Sequence, residues 1–74
     1  MNKIPVDVEV EVRRDGEQIP KAVIWSDGRR FTISRLVYHG MSSSNEYEGI
    51  RYTVIIGSAE KYIYRVNHTW YVMA

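Results

Sequence analysis

Apolar and polar residues trade places one by one in five or six stretches that fill nearly all of this 74-residue chain, separated by Asp15-Gly16, Asp27-Gly28, Gly57-Ser58 and Asn67-His68. Period-two alternation sends successive side chains to opposite faces of an extended backbone, and dipeptides of this kind reverse strands. The pattern predicts a meander of strands with no sustained 3.6-residue period for a helix. The chain is read as a single small β domain over residues 1–74. At this size a domain buries only about 60% of the surface its unfolded chain exposes, so oligomerisation is one expected remedy for a thin stability margin. Disulfides and a structural zinc are not remedies here, because cysteine is absent and the histidines are His39 and His68 alone.

Val6, Val8, Val10 and Val12 share one face of the first strand, opposite Asp7, Glu9, Glu11 and Arg13. This is a half-buried strand whose outward acids are ordinary solvated or cross-strand charges. Gln18 to Trp25 forms the second strand; Pro20 cannot donate to a ladder and calls for a bulge or a solvent-facing amide near a sheet edge. The turn at Ser26-Asp27-Gly28 allows a sharper expectation. A three-residue loop with Gly28 in the left-handed conformation pairs Val23 with Phe31 and unites their side chains on one face, which a two-residue loop would not. Beyond Ile33 the alternation slips, since Leu36 and Tyr38 take the parity of Thr32 and Ser34. A bulge near Ser34-Arg35 would restore burial and curl the sheet.

Residues 40–49, rich in serine and glutamate around a solitary Tyr47, read as the one long polar loop. The last third reads as strands Ile50–Ile56, Lys61–Val66 and Trp70–Met73. Two-residue turns at Ser58-Ala59 and Asn67-His68 would align Val54, Ile63 and Val72 as a core row, with Arg65 opposite Trp70 in reach of a cation–π contact. The same register gathers Ile55, Tyr62, Tyr64, Tyr71 and Met73 on the other face. Either the barrel or the polar loop wraps these tyrosines, leaving their hydroxyls wet, or the face is an exposed interface for a partner, a second copy or a stacked base. The fold expected is a small, partly open SH3-like barrel of five or six antiparallel strands, with a two-layer β-sandwich as the alternative.

The run Ile24-Trp25-Ser26-Asp27-Gly28-Arg29-Arg30-Phe31-Thr32-Ile33-Ser34-Arg35, with Arg51-Tyr52-Thr53-Val54 and the closing Tyr62-Ile63-Tyr64 and Trp70-Tyr71-Val72, resembles a family of short bacterial proteins forming a domain of unknown function. The likeness covers about two-thirds of the chain. It implies only a small all-β domain of unknown function and brings no functional residues to carry over; related sequences are associated with the neighbourhood of DNA-repair polymerases.

The inventory for catalysis is thin. A nucleophile needs a base in hydrogen-bond reach and a group to orient that base. The serines have only His39, at a strand end, and His68, in a hairpin turn, as bases. The sequence therefore predicts no enzyme, no cofactor and no metal site. It predicts a protein–protein interaction or oligomerisation module, with Tyr62, Tyr64, Tyr71, Met73 and Ile55 as the partner surface. The alternative is a nucleic-acid-binding barrel that uses Arg29, Arg30, Arg35, Arg51, Lys61 and Arg65 on phosphates. A net charge of +1 gives no bulk pull toward nucleic acid. Residues Met1 to Val6 carry one lysine and a proline without an apolar core, unlike a signal peptide, and no apolar run approaches the roughly 20 residues that span a bilayer. A reducing cytoplasm and no membrane association are the expected setting.

Overall fold

The computed structural model describes residues 2–41 and 47–74. Within them run strands β1 (Lys3–Val12), β2 (Gln18–Ile24), β3 (Arg30–Met41), β4 (Ile50–Ile56), β5 (Ala59–Val66) and β6 (Thr69–Met73). Each pairs antiparallel with its sequence neighbours and β6 returns to β1, so the sheet closes as a six-stranded barrel. The expected partial opening and the sandwich alternative both give way to closure. The reason is the length of β1, which pairs with β6 through Lys3–Val6 and then with β2 through Asp7–Val12. One strand serves two neighbours in succession, and the first and last strands are joined. Part of the polar loop expected at 40–49 lies outside the described residues, while Gly40 and Met41 extend β3.

The first two hairpins share one turn chemistry. In each, a three-residue loop ends on a glycine with positive φ, Gly16 at 86° and Gly28 at 89°. The amides of Gly16 and Gly28 donate back to the carbonyls of Arg13 and Trp25, each over 2.9 Å. The aspartate before each glycine accepts an amide two residues on, Asp15 from Glu17 and Asp27 from Arg29. The Arg29 amide, joined by its guanidinium, holds the Asp27 carboxyl below its ordinary value. Val23 therefore faces Phe31, as the bulged loop requires.

Bulges bend the wall where the sequence slips out of phase. The β3–β4 register shifts between Ile33 and Arg35, as expected, and again between Leu36 and Tyr38. A third shift, between Glu9 and Val10, accommodates buried Pro20. Pro5 sits opposite Tyr71, between pairs that exchange hydrogen bonds in the alternation begun by Asn2 and Ala74, so its missing amide costs that ladder nothing.

The β4–β5 turn is Gly57-Ser58, with Gly57 at φ 64°, where Ser58-Ala59 was expected. The pairing is thus two residues away from the expected one, with Val54 opposite Lys61 and Tyr52 opposite Ile63. A shift of two keeps every side chain on its face, so Val54 and Ile63 remain in the core. Val6, Val23, Ile33, Tyr52 and Trp70 complete it. Tyr52 receives a hydrogen bond from Arg65 Nε at 3.1 Å, while Arg65 lies opposite Trp70 with its guanidinium 5.9 Å from that ring. His39 stacks on Tyr52 and reaches Glu17 at 3.3 Å, which ties the β1–β2 turn to the end of β3.

Candidate binding cleft beside the tyrosine face

The outer wall of β5 and β6 carries Tyr62, Tyr64 and Tyr71. Alternation places Tyr62 and Tyr64 outward once Ile63 is inward, and Tyr71 lies directly opposite Tyr64 with the two rings stacked at 5.0 Å. Residues 47–49 then cross over them as a strap. Tyr47 packs tilted against Tyr64 at 5.3 Å, and the Tyr71 hydroxyl donates to the Glu48 carbonyl at 2.8 Å. Gly49, at φ 84°, lies so close to the Arg65 carbonyl that a side chain would overlap it. Lys3 reaches Glu48 at 2.6 Å and stands 4.9 Å over the Tyr71 ring. Their hydrogen bond raises the Lys3 pKa and lowers that of Glu48.

The five residues expected on one partner surface therefore divide. Tyr64 and Tyr71 are buried at 7% and 4% exposure, Met73 and Ile55 are half-buried, and Tyr62 alone is freely exposed at 47%. The wrapping alternative fits, except that the Tyr71 hydroxyl is bonded to a carbonyl. An open tyrosine platform is not what the wall presents.

What opens instead is the wall itself. The β5–β6 ladder runs from Val66–Thr69 to Tyr64–Tyr71 and stops. Beyond that rung β6 stays with β1, where Val72 and Met73 pair with Ile4 and Lys3, while β5 stays with β4 from Ile63 to Ala59. The two strands diverge and leave facing edges with no ladder between them. A cleft of about 720 Å³ fills the gap. Tyr62, Ile63 and Tyr64 form one side; Val72, Met73 and Ala74 form the other. Its floor is the barrel interior at Val23, Trp25, Phe31 and Ile56. Volume and apolar character fall in the range of sites that enclose small ligands or side chains.

Arg51 and Lys61 also line this cleft, and no acidic residue does so among the described residues. The Arg51 guanidinium lies 4.8 Å from the Tyr47 ring centre and 4.4 Å from that of Tyr62. The other expected phosphate contacts are scattered. Arg29 pairs with Asp27, Arg30 forms a two-pronged bond with Glu9, and Arg65 turns to Tyr52 and the Asn67 carbonyl. Arg35 is exposed on β3 opposite Ile55. The six do not converge.

Trp25, Phe31 and Tyr47 were not among the expected site residues. Trp25 and Phe31 end rows of inward side chains at the barrel mouth, and Tyr47 is the lone aromatic of a polar segment; such stranded aromatics were the available signal. Among the described residues no group of three His, Asp or Glu side chains could hold a metal ion. No helix there is long and apolar enough to cross a membrane. No family model, curated protein or solved structure matches the chain.

Proposed function

We propose that this chain is a non-catalytic protein-interaction module, a small barrel of SH3-like type that takes an extended segment of another protein into the β5–β6 cleft. The early end of the ladder at Tyr64 and Tyr71 carries this reading, because it leaves two strand edges facing each other over an apolar floor. Main-chain groups on such edges bind an added strand, and the floor selects its alternate side chains. The chain works in a reducing cytoplasm and belongs with the short bacterial β proteins it resembles. Panning a peptide-display library on the whole chain tests this. Enriched peptides should shift the amide resonances of Tyr62, Ile63, Val72 and Met73. Shifts confined to another part of the barrel, or no enrichment, would overturn it.

A second reading, nucleic-acid binding linked to DNA repair, rests on Tyr38 and Tyr62. They lie opposite the two sides of Thr53 on neighbouring strands, both exposed, and could each stack on a base. Salt-dependent binding of a single-stranded oligonucleotide, lost on replacing both tyrosines with serine, would favour it.

A further inference from the structure

We infer that the segment received by the β5–β6 cleft alternates apolar and acidic residues and comes from another protein; this rests on the cleft being the binding site. A strand laid along β5 must follow its pleat, so its side chains go by turns inward beside Ile63 and outward beside Tyr62. The inward positions meet an apolar interior ending in Trp25 and Phe31. The outward positions meet Arg51.

The charge of that rim is unbalanced. Ion pairs among the described residues engage Lys3, Arg29 and Arg30, but neither cation of the cleft. Arg51 is covered by two aromatic rings, a surface a guanidinium accepts while its in-plane N–H groups stay free to bind a carboxylate. Lys61 has the inward parity of Ile63 but is exposed at the barrel mouth, where it adds a second positive charge along the same path. An incoming strand that kept lysine or arginine at the outward positions would meet like charge.

Short capped peptides alternating valine with glutamate, valine with lysine, or serine with glutamate distinguish these features by fluorescence anisotropy against the whole chain. The valine–glutamate peptide should bind about tenfold or more tightly than the other two and weaken as salt rises. Its preference over the lysine peptide should shrink in Lys61→Gln and vanish in Arg51→Gln/Lys61→Gln. Lys61→Gln removes an exposed side chain and keeps the test valid should the double variant melt early.

Equal affinity for glutamate and lysine peptides overturns the inference; if the cleft resonances still shift, the cleft reading survives it. Binding that shifts resonances only elsewhere overturns both. Binding of dodecanoate with exclusion of every peptide assigns the cleft to a lipid and overturns the inference. So does self-assembly in sedimentation that the double variant dissolves, since the occupant is then a second copy.

Discussion

Tyr64 and Tyr71 stack face to face at 5.0 Å on the last rung that joins β5 to β6. They clamp the two strands at the point where these part, and the strap at 47–49 rests on the clamp. The aromatic residues that look most like a recognition surface in the sequence therefore hold up the wall beside the cleft.

Replacing Tyr64 and Tyr71 together with serine should unfold the domain, not merely silence it. Truncating a buried aromatic costs about 3–5 kcal/mol, and two such losses consume most of the roughly 5–15 kcal/mol that holds a typical domain together. Tyr71→Phe should cost only about 0.5–1.5 kcal/mol, for the hydroxyl bond to Glu48. Denaturant unfolding of both variants checks this; a double variant that melts cooperatively near the parent temperature would show that these rings bear no load.

Hydrogen exchange should map the split. In the β5–β6 alternation the amides of Tyr64 and Tyr71 point at each other, and those of Tyr62 and Met73 point into the gap. The first pair should exchange slowly and the second fast, measured residue by residue by NMR. Equal protection would mean that the ladder continues and the cleft is closed.

Two glycines of similar backbone conformation should respond differently to alanine. Gly57, at φ 64°, has open space around it, so Gly57→Ala should cost about 1–2 kcal/mol for the left-handed backbone alone. Gly49→Ala adds an overlap with the Arg65 carbonyl and the Val66 side chain, and should cost at least about 3 kcal/mol. Urea midpoints of the two variants give the comparison.

Acid should loosen the strap and the β1–β3 contact modestly. Hydrogen bonds from Lys3 and Arg30 lower the pKa of Glu48 and Glu9 respectively from the ordinary 4.5. A lowered folded pKa means stabilisation that is complete above the unfolded value and lost as pH falls through the folded one. Lys3, raised above 10.5, gives the opposite limb: its share is complete below the unfolded value and lost as pH rises through the folded one. Both pairs are exposed, so the effect is small. Thermal melts from neutral to acid pH should fall less steeply in Glu48→Gln than in the parent.

Local chemistry was legible in the sequence. The Gly28 loop, the Val23–Phe31 pair, the kink after Ile33 and the Arg65–Trp70 pair each follow from a few adjacent residues. The β4–β5 register was not: Gly57-Ser58 stood out as a break, but moving the reversal from Ser58-Ala59 to Gly57-Ser58 changes the partner of Val54 from Ile63 to Lys61 without turning any side chain to the other face, so the hydrophobic pattern does not choose between the two. Closure and the cleft were illegible for a different reason. Both depend on how far β1 and β6 stay together, a contact between opposite ends of the chain that no local pattern encodes. Tyr64 and Tyr71 were correctly turned outward, yet only the course of residues 47–49 decides that they are covered.

Barrel closure also orders the route by which the chain reaches this state. Five of its six strand pairings join consecutive elements, and only β1 with β6 spans nearly the whole sequence. Loop-closure entropy grows with the length enclosed, so neighbouring pairs can assemble early while the seam carries the largest entropic cost and forms last. Without that ladder β1 and β6 would each present an unpaired edge able to recruit strands from other chains, so the joining of the two chain ends also guards against aggregation.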